Sequence, residues 1–215
     1  MIVVDTEFTS LDFNNAGLWQ IGAVDLDAPE NTFLEEARLE EEDEVEEAAL
    51  KVVEKTEEEL RNLPQSQKEM LEHFFKWAEK TKIKNLICQG QWDFGILLSK
   101  AYKFGLNFPF HHRAFDLHSI AQMKHMEIKG EFSIDKDHSG MGLYYVLEFC
   151  GIEDERRIIS IGGQVEKQGK PHNALEDAKL EAECFSRLIY GKNLLPEFAK
   201  FKIPEYLKKE DDNLQ

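Results

Sequence analysis

Five residues of this 215-residue chain combine reactive side chains with telling spacing. Asp5 and Glu7 stand two apart behind the apolar run Ile2-Val3-Val4. A strand alternates its side chains between faces, so both carboxylates fall on one face. Two like charges there are costly unless a cation neutralises them, although an Asp-x-Glu pair is also common at strand ends. Asp93 sits at a strand-to-helix junction, where an acid also suits the positive end of a helix. Asp177 shares a helix edge with the small residues Ala174 and Ala178, and a carboxylate on such an inward edge needs a partner. His172 lies just upstream on a glycine-flanked loop and is expected to swing freely. Alone it reads as solvent-exposed; beside a metal carboxylate it becomes a candidate general base.

The elements that must position these groups follow from the apolar pattern. Residues 1–8 and 18–25 read as strands joined by a turn at Asn14, Asn15 and Gly17, hence antiparallel neighbours. A short third strand is expected around 32–39, and further short strands at 85–88 and 115–117. Met70, Leu71, Phe74, Phe75, Trp77 and Ala78 keep helical spacing within 66–81. Helices are also expected over 92–104, 118–127, 141–150 and 174–190, the last after a loop containing Gly162, Gly163 and Gly169. Strands first and then alternating strands and helices indicate one α/β domain with a mixed sheet. The expected domain covers 1–195, with an acidic helical segment at about 35–60, followed by a charged tail over 196–215 that frays past Pro204.

Apolar residues form 42% of the chain and charged residues 32%, a balance that suits a packed core and rules out general disorder or a fibre. No run approaches the roughly 18 apolar residues of a membrane span. The N-terminus lacks a basic region ahead of an apolar core, so no secretory signal is visible. Cys88, Cys150 and Cys184 follow no motif, which points to reduced, buried thiols and a cytoplasmic setting. A net charge of −16 argues against tight non-specific binding to long duplexes. Yet residues 35–60 hold 13 acids against 3 bases, and residues 205–215 hold 4 against 2. The remainder is close to balanced, and a divalent metal cluster could hold that excess of carboxylates. The acidic run itself reads as a solvated helical face, with a docking patch for a protein partner as the alternative.

Taken in order, the pieces spell Val-Asp-Thr-Glu-Phe-Thr-Ser-Leu (4–11), Gln-Gly-Gln-Trp-Asp-Phe (89–94) and His-Asn-Ala-Leu-Glu-Asp-Ala (172–178). With these motifs the chain resembles the DEDDh exonucleases, 3′–5′ exonucleases of ribonuclease H-like fold, a group that includes oligoribonuclease, ribonuclease T and polymerase proofreading subunits. The resemblance spans roughly residues 1–190, and Leu18–Val24 also looks like the family's second strand. It implies a mixed five-stranded sheet flanked by helices, the first three strands antiparallel and the rest parallel. Two residues depart from the family pattern: Ser10 where Gly is usual, and Gln89 where Asn is common. Neither removes a ligand or the base.

The resemblance further implies that Asp5, Glu7, Asp93 and Asp177 hold two divalent cations, Mg²⁺ or Mn²⁺, with Asp5 the bridge and His172 the base. Oxygen-only ligands suit those hard ions. Thr6, Phe8, Thr9 and Leu11 are implied in binding the 3′-terminal nucleotides, Leu11 as a wedge between bases. Phe8 and Trp92 could stack on bases, with core packing the competing reading. The expected activity is metal-dependent 3′–5′ release of nucleoside monophosphates from single-stranded ends or short oligonucleotides, RNA slightly ahead of DNA. Two rivals are a ribonuclease H-type endonuclease and a non-catalytic module that docks a partner through the acidic helix. A homodimer is the other partnership in view, and no membrane partner is expected. Asp135–Gly140 mimics a metal loop but lacks its further oxygens, and reads as a turn. His111-His112-Arg113 is a thin basic patch that reads as a loop.

Overall fold

The computed structural model describes residues 1–159 and 164–209. A five-stranded sheet is formed by β1 (Ile2–Phe8), β2 (Leu18–Asp25), β3 (Thr32–Glu36), β4 (Leu86–Cys88) and β5 (Phe115–Asp116), in the spatial order β3-β2-β1-β4-β5. β1–β2 and β2–β3 pair antiparallel, whereas β4 runs parallel to both β1 and β5. This is the mixed sheet of the ribonuclease H-like fold expected from the sequence.

Period-two alternation divides the core. Ile2 and Val4 of β1, with Leu86 and Cys88 of β4, face α3 (Gln67–Ala78) and α4 (Trp92–Lys103). Val3 and Ile87 point the other way, into a layer built by α5 (Leu117–Lys129), α6 (Leu143–Phe149) and α7 (Ala174–Tyr190). Asp5 and Glu7 continue the Val3 face, so they lie on the side of the sheet that carries α7. Two small hairpins lie apart from the main sheet, β6 (Ile134–Asp135) with β7 (His138–Ser139) and β8 (Ile158–Ile159) with β9 (Val165–Lys167). The first is the turn expected at Asp135–Gly140. The three cysteines are free and buried, as expected.

The acidic stretch is not one solvated helical face. β3 takes its start, residues 37–46 are not helical, and only α1 (Glu47–Val53) and α2 (Glu57–Arg61) are. Leu39, Val53 and Leu60 pack on Trp19 in a third apolar cluster, and that burial breaks the run into short pieces. Asp43 is wholly buried there, 3.1 Å from the buried Lys100 ammonium.

The chain past Pro204 is also packed, where fraying was expected. Leu207 is buried, and the Tyr206 hydroxyl donates to the Phe149 carbonyl at 2.8 Å. Arg187, fully buried, donates to the carbonyls of Cys150, Phe198 and Phe201. Residues 196–207 therefore close the α7 layer, while the end of the tail, 210–215, lies outside the described residues. So do Gly162 and Gly163 of the expected glycine loop. Among the described residues no helix is long and apolar enough to cross a membrane.

Candidate active site

Three pieces of sheet and helix converge at the end of β1. Asp5, Thr6, Glu7 and Phe8 line a cleft together with Gln89, Trp92 and Asp93 from the β4–α4 junction, and His172, Asp177 and Glu181 from α7 and its approach. All five residues with reactive spacing in the sequence thus meet in one place. The tightest group joins Glu7, His172 and Asp177, whose ligand atoms lie within 4.8 Å of one another.

Local structure explains each placement. The turn after β4 needs Gly90, whose φ of 84° favours glycine and whose amide donates to Asp116 at 3.0 Å. Asp93 then enters the first turn of α4, and its Oδ1 accepts from both the amide and the hydroxyl of Thr6, at 2.9 and 2.8 Å. Asn173 caps α7, its side chain accepting from the amides of Leu175 and Glu176. Gln20 of β2 accepts from the Ala174 amide at 2.7 Å. Gly22 lies against the Ala174 and Leu175 backbone so closely that a Cβ would collide with it. Sheet and helix are therefore pressed together where Asp177 is mounted.

His172 is not free to swing. Its amide donates to Val52 O, its Nδ1 is 3.1 Å from Asp177 Oδ2, and its Nε2 is 2.8 Å from the Arg157 carbonyl. The loop is clamped because the acidic segment folds back over it: Ala49 and Val52 form a wall of the cleft, and Glu54 pairs with Arg157. Sequence spacing gave no hint of that wall, since the contact spans more than a hundred residues.

The electrostatics are those of crowded carboxylates. Burial, reinforced by Asp93, Asp177, Glu181 and Glu7, pushes Asp5 well above the usual carboxylate range. Burial and the nearby Asp177 lift Glu7 to about 8, against the opposing pull of His172 and Arg156. Burial raises Asp93 to about 6, although its bonds from Thr6 resist the rise. Burial also disfavours a charged His172, yet the hydrogen bond and charge of Asp177 outweigh it and raise the imidazole.

Two members of the site carried no sequence motif. Arg156 Nη1 reaches Asp177 Oδ2 at 3.2 Å while its Nη2 holds Asp154 at 2.9 Å. Glu181, one helical turn beyond Asp177, is fully buried, and its spacing on α7 was a signal available in the sequence. The residues suggested for substrate contact divide. Phe8 and Trp92 line the cleft with ring centroids 6.4 Å apart, Phe8 also packing on the core. Leu11 is half exposed on the following loop. Thr6 and Thr9 are buried and engaged within the protein: Thr6 with Asp93, and Thr9 with Gly17 and Glu44. His111 and His112 stack on each other in an exposed loop outside the cleft.

The donor set fits hard divalent cations: carboxylates dominate, they repel one another, and both Glu181 oxygens are buried without a donor.

Comparison with known proteins places the fold. The nuclease domain of 3′hExo, a DEDDh family member bound to rAMP, has a TM-score of 0.61 and 18% identity, covering 95% of each chain. Cell-death related nuclease 4 (CRN-4) gives 0.64 at 15% identity, covering 89% of this chain and 64% of the other. The E. coli ExoI–ssDNA complex gives 0.64 at 13%, covering 88% of this chain and 40% of the other. No curated protein sequence matches. The fold is thus shared with DEDDh nuclease domains, and the family model that describes the chain over residues 2–185 settles its membership: it belongs to the RNase_T exonuclease family.

Proposed function

We propose that the chain is a metal-dependent 3′–5′ exonuclease that releases nucleoside monophosphates from single-stranded ends or short oligonucleotides, RNA slightly favoured over DNA. The observation that carries this reading is the meeting of Glu7, His172 and Asp177 within 4.8 Å, in the cleft that also holds Asp5 and Asp93. Relatives of this fold bind rAMP, single-stranded DNA and a histone mRNA stem-loop, which supports a nucleic-acid 3′ end as substrate. The paucity of basic residues favours short substrates.

Asp5, Glu7, Asp93 and Asp177 would hold two ions, Mg²⁺ or Mn²⁺. Bound there, such ions supply an activated water and neutralise charge on the phosphoryl and leaving oxygens. His172 faces an acceptor at each nitrogen, so the ring as clamped is the imidazolium. With Asp177 engaged by a cation its hold on the imidazolium would weaken, the Nδ1 proton would pass to solvent, and the neutral ring would then have Nδ1 free to take the proton of the attacking water. The Arg157 carbonyl keeps the other nitrogen protonated and fixes the ring plane. Phe8 and Trp92 offer the cleft a pair of apolar rings, and Leu11, on the loop after β1, offers an exposed apolar side chain. Thr6 supports the cleft by tying β1 to Asp93 of α4, and Thr9 by tying the end of β1 to Gly17 and Glu44. A cytosolic setting is supported by three free, buried thiols.

The test uses 5′-labelled single-stranded RNA and DNA of one sequence with Mg²⁺, Mn²⁺ or EDTA, on wild type and Asp177→Ala. A metal-dependent ladder shortening from the 3′ end, absent in the variant, is the expected result. Intact oligonucleotides with both proteins would refute the reading. Cleavage of a circular substrate would instead favour an endonuclease.

A further inference from the structure

Glu181 is the buried acid that the proposed chemistry leaves unused. It is fully buried on α7, one turn beyond Asp177, and lines the same cleft as Asp5 and Asp93. Among the described residues neither of its oxygens has a hydrogen-bond partner, and Gln89 Oε1, also buried in that cleft, has none either. Arg156, the guanidinium that lines the same cleft, is engaged by Asp154 and Asp177. Three acceptor oxygens in the lining of one cleft thus have no donor among the described residues. Buried acceptors in that state are destabilising unless something else donates. Water held by a divalent cation presents strongly polarised O–H groups and is well suited to do so.

Resting on the metal-dependent reading above, we propose that Glu181 is a positioning carboxylate of the metal centre. It accepts hydrogen bonds from cation-bound water behind Asp5, Asp93 and Asp177, with Gln89 as a second acceptor. One turn beyond Asp177 on α7, it stands outside the four carboxylates that this reading assigns to the ions. Its negative charge adds to the repulsion felt at Asp5, so it favours a cation in the cleft even at that remove.

The test is a Mn²⁺ titration of the chelator-stripped full chain, read by the electron paramagnetic resonance signal of free Mn²⁺. Wild type is compared with Glu181→Gln, Glu181→Met and Glu181→Asp, and metal-free melting checks that each variant folds. Loss of an outer partner of a metal ligand commonly weakens metal binding about 10–100-fold. That loss is expected for Gln and Met, with Asp recovering part of the affinity. Met has similar length without polar atoms, so it replaces Gln should the amide misfold. Equal Mn²⁺ affinity in wild type and in the folded Gln or Met variant would overturn the role of Glu181 while leaving the exonuclease reading intact. A wild type that binds no Mn²⁺ would overturn both.

Discussion

Thr6 gives its amide and its hydroxyl to the same oxygen of Asp93, at 2.9 and 2.8 Å. One residue of the first strand thereby fixes the only candidate ligand contributed by α4. Both bonds also favour the ionised carboxylate against the effect of burial. Thr6→Val keeps the shape and removes the hydroxyl. It is expected to cost about 1.5–3 kcal/mol in urea denaturation, the range for a hydrogen bond to a charged group. Metal-dependent hydrolysis should fall at least tenfold, and Thr6→Ser should restore most of both. Wild-type behaviour of Thr6→Val would show that the amide alone suffices.

The crowded carboxylates make the metal-free fold sensitive to alkali. Glu7 is lifted to about 8 and Asp93 to about 6. In the unfolded chain such groups release their protons near pH 4. Their contribution to stability is complete below that pH and is lost as pH rises through 6 and then 8. Calorimetry in a chelator should therefore show a falling melting temperature across this window. The fall should be shallower for Glu7→Gln, which melts above wild type at pH 8. Superimposable profiles for the two proteins would refute this account.

Cations should reverse that loss. Mg²⁺ or Mn²⁺ at millimolar concentration is expected to raise the melting temperature at pH 8, and EDTA to remove the gain. Binding to the folded state alone at 100 times Kd adds about 2.7 kcal/mol. Asp177→Asn should abolish most of the increase, because it removes a member of the tight group with Glu7 and His172.

Lys100 and Asp43 form an ion pair with no side-chain exposure on either partner. Lys100→Met alone should cost about 3–5 kcal/mol, since it leaves a buried carboxylate short of its main cation. Lys100→Met with Asp43→Leu should cost clearly less than the two single changes summed. A double-mutant cycle in urea checks this, and simple additivity would contradict it.

The first-strand acids, the junction at Asp93 and the helix with Asp177 were legible because each rests on local periodicity. The antiparallel pairing of the first two strands followed from the same pattern, the five-stranded sheet from the family resemblance, and β2 and α7 have the bounds expected from the pattern. What stayed hidden depends on distant partners. The clamp on His172 comes from Val52 and the Arg157 carbonyl, neither of which has a distinctive side-chain type at that contact. Asp43 looks like any member of an acidic run until Lys100 and Gln67 are brought to it. The packed end of the chain depends on Arg187, whose buried guanidinium collects carbonyls that carry no sequence signature.

The bond that the Ala174 amide donates to Gln20 joins residues 154 positions apart. A nascent chain carries Asp5, Glu7 and Asp93 long before it has a helix to oppose them. Those three acids remain an incomplete set until the last long helix has been synthesised and has settled against Gly22. Under the proposed function, hydrolytic competence thus waits on translation through α7, and amino-terminal fragments released before it should be inert toward nucleic acid.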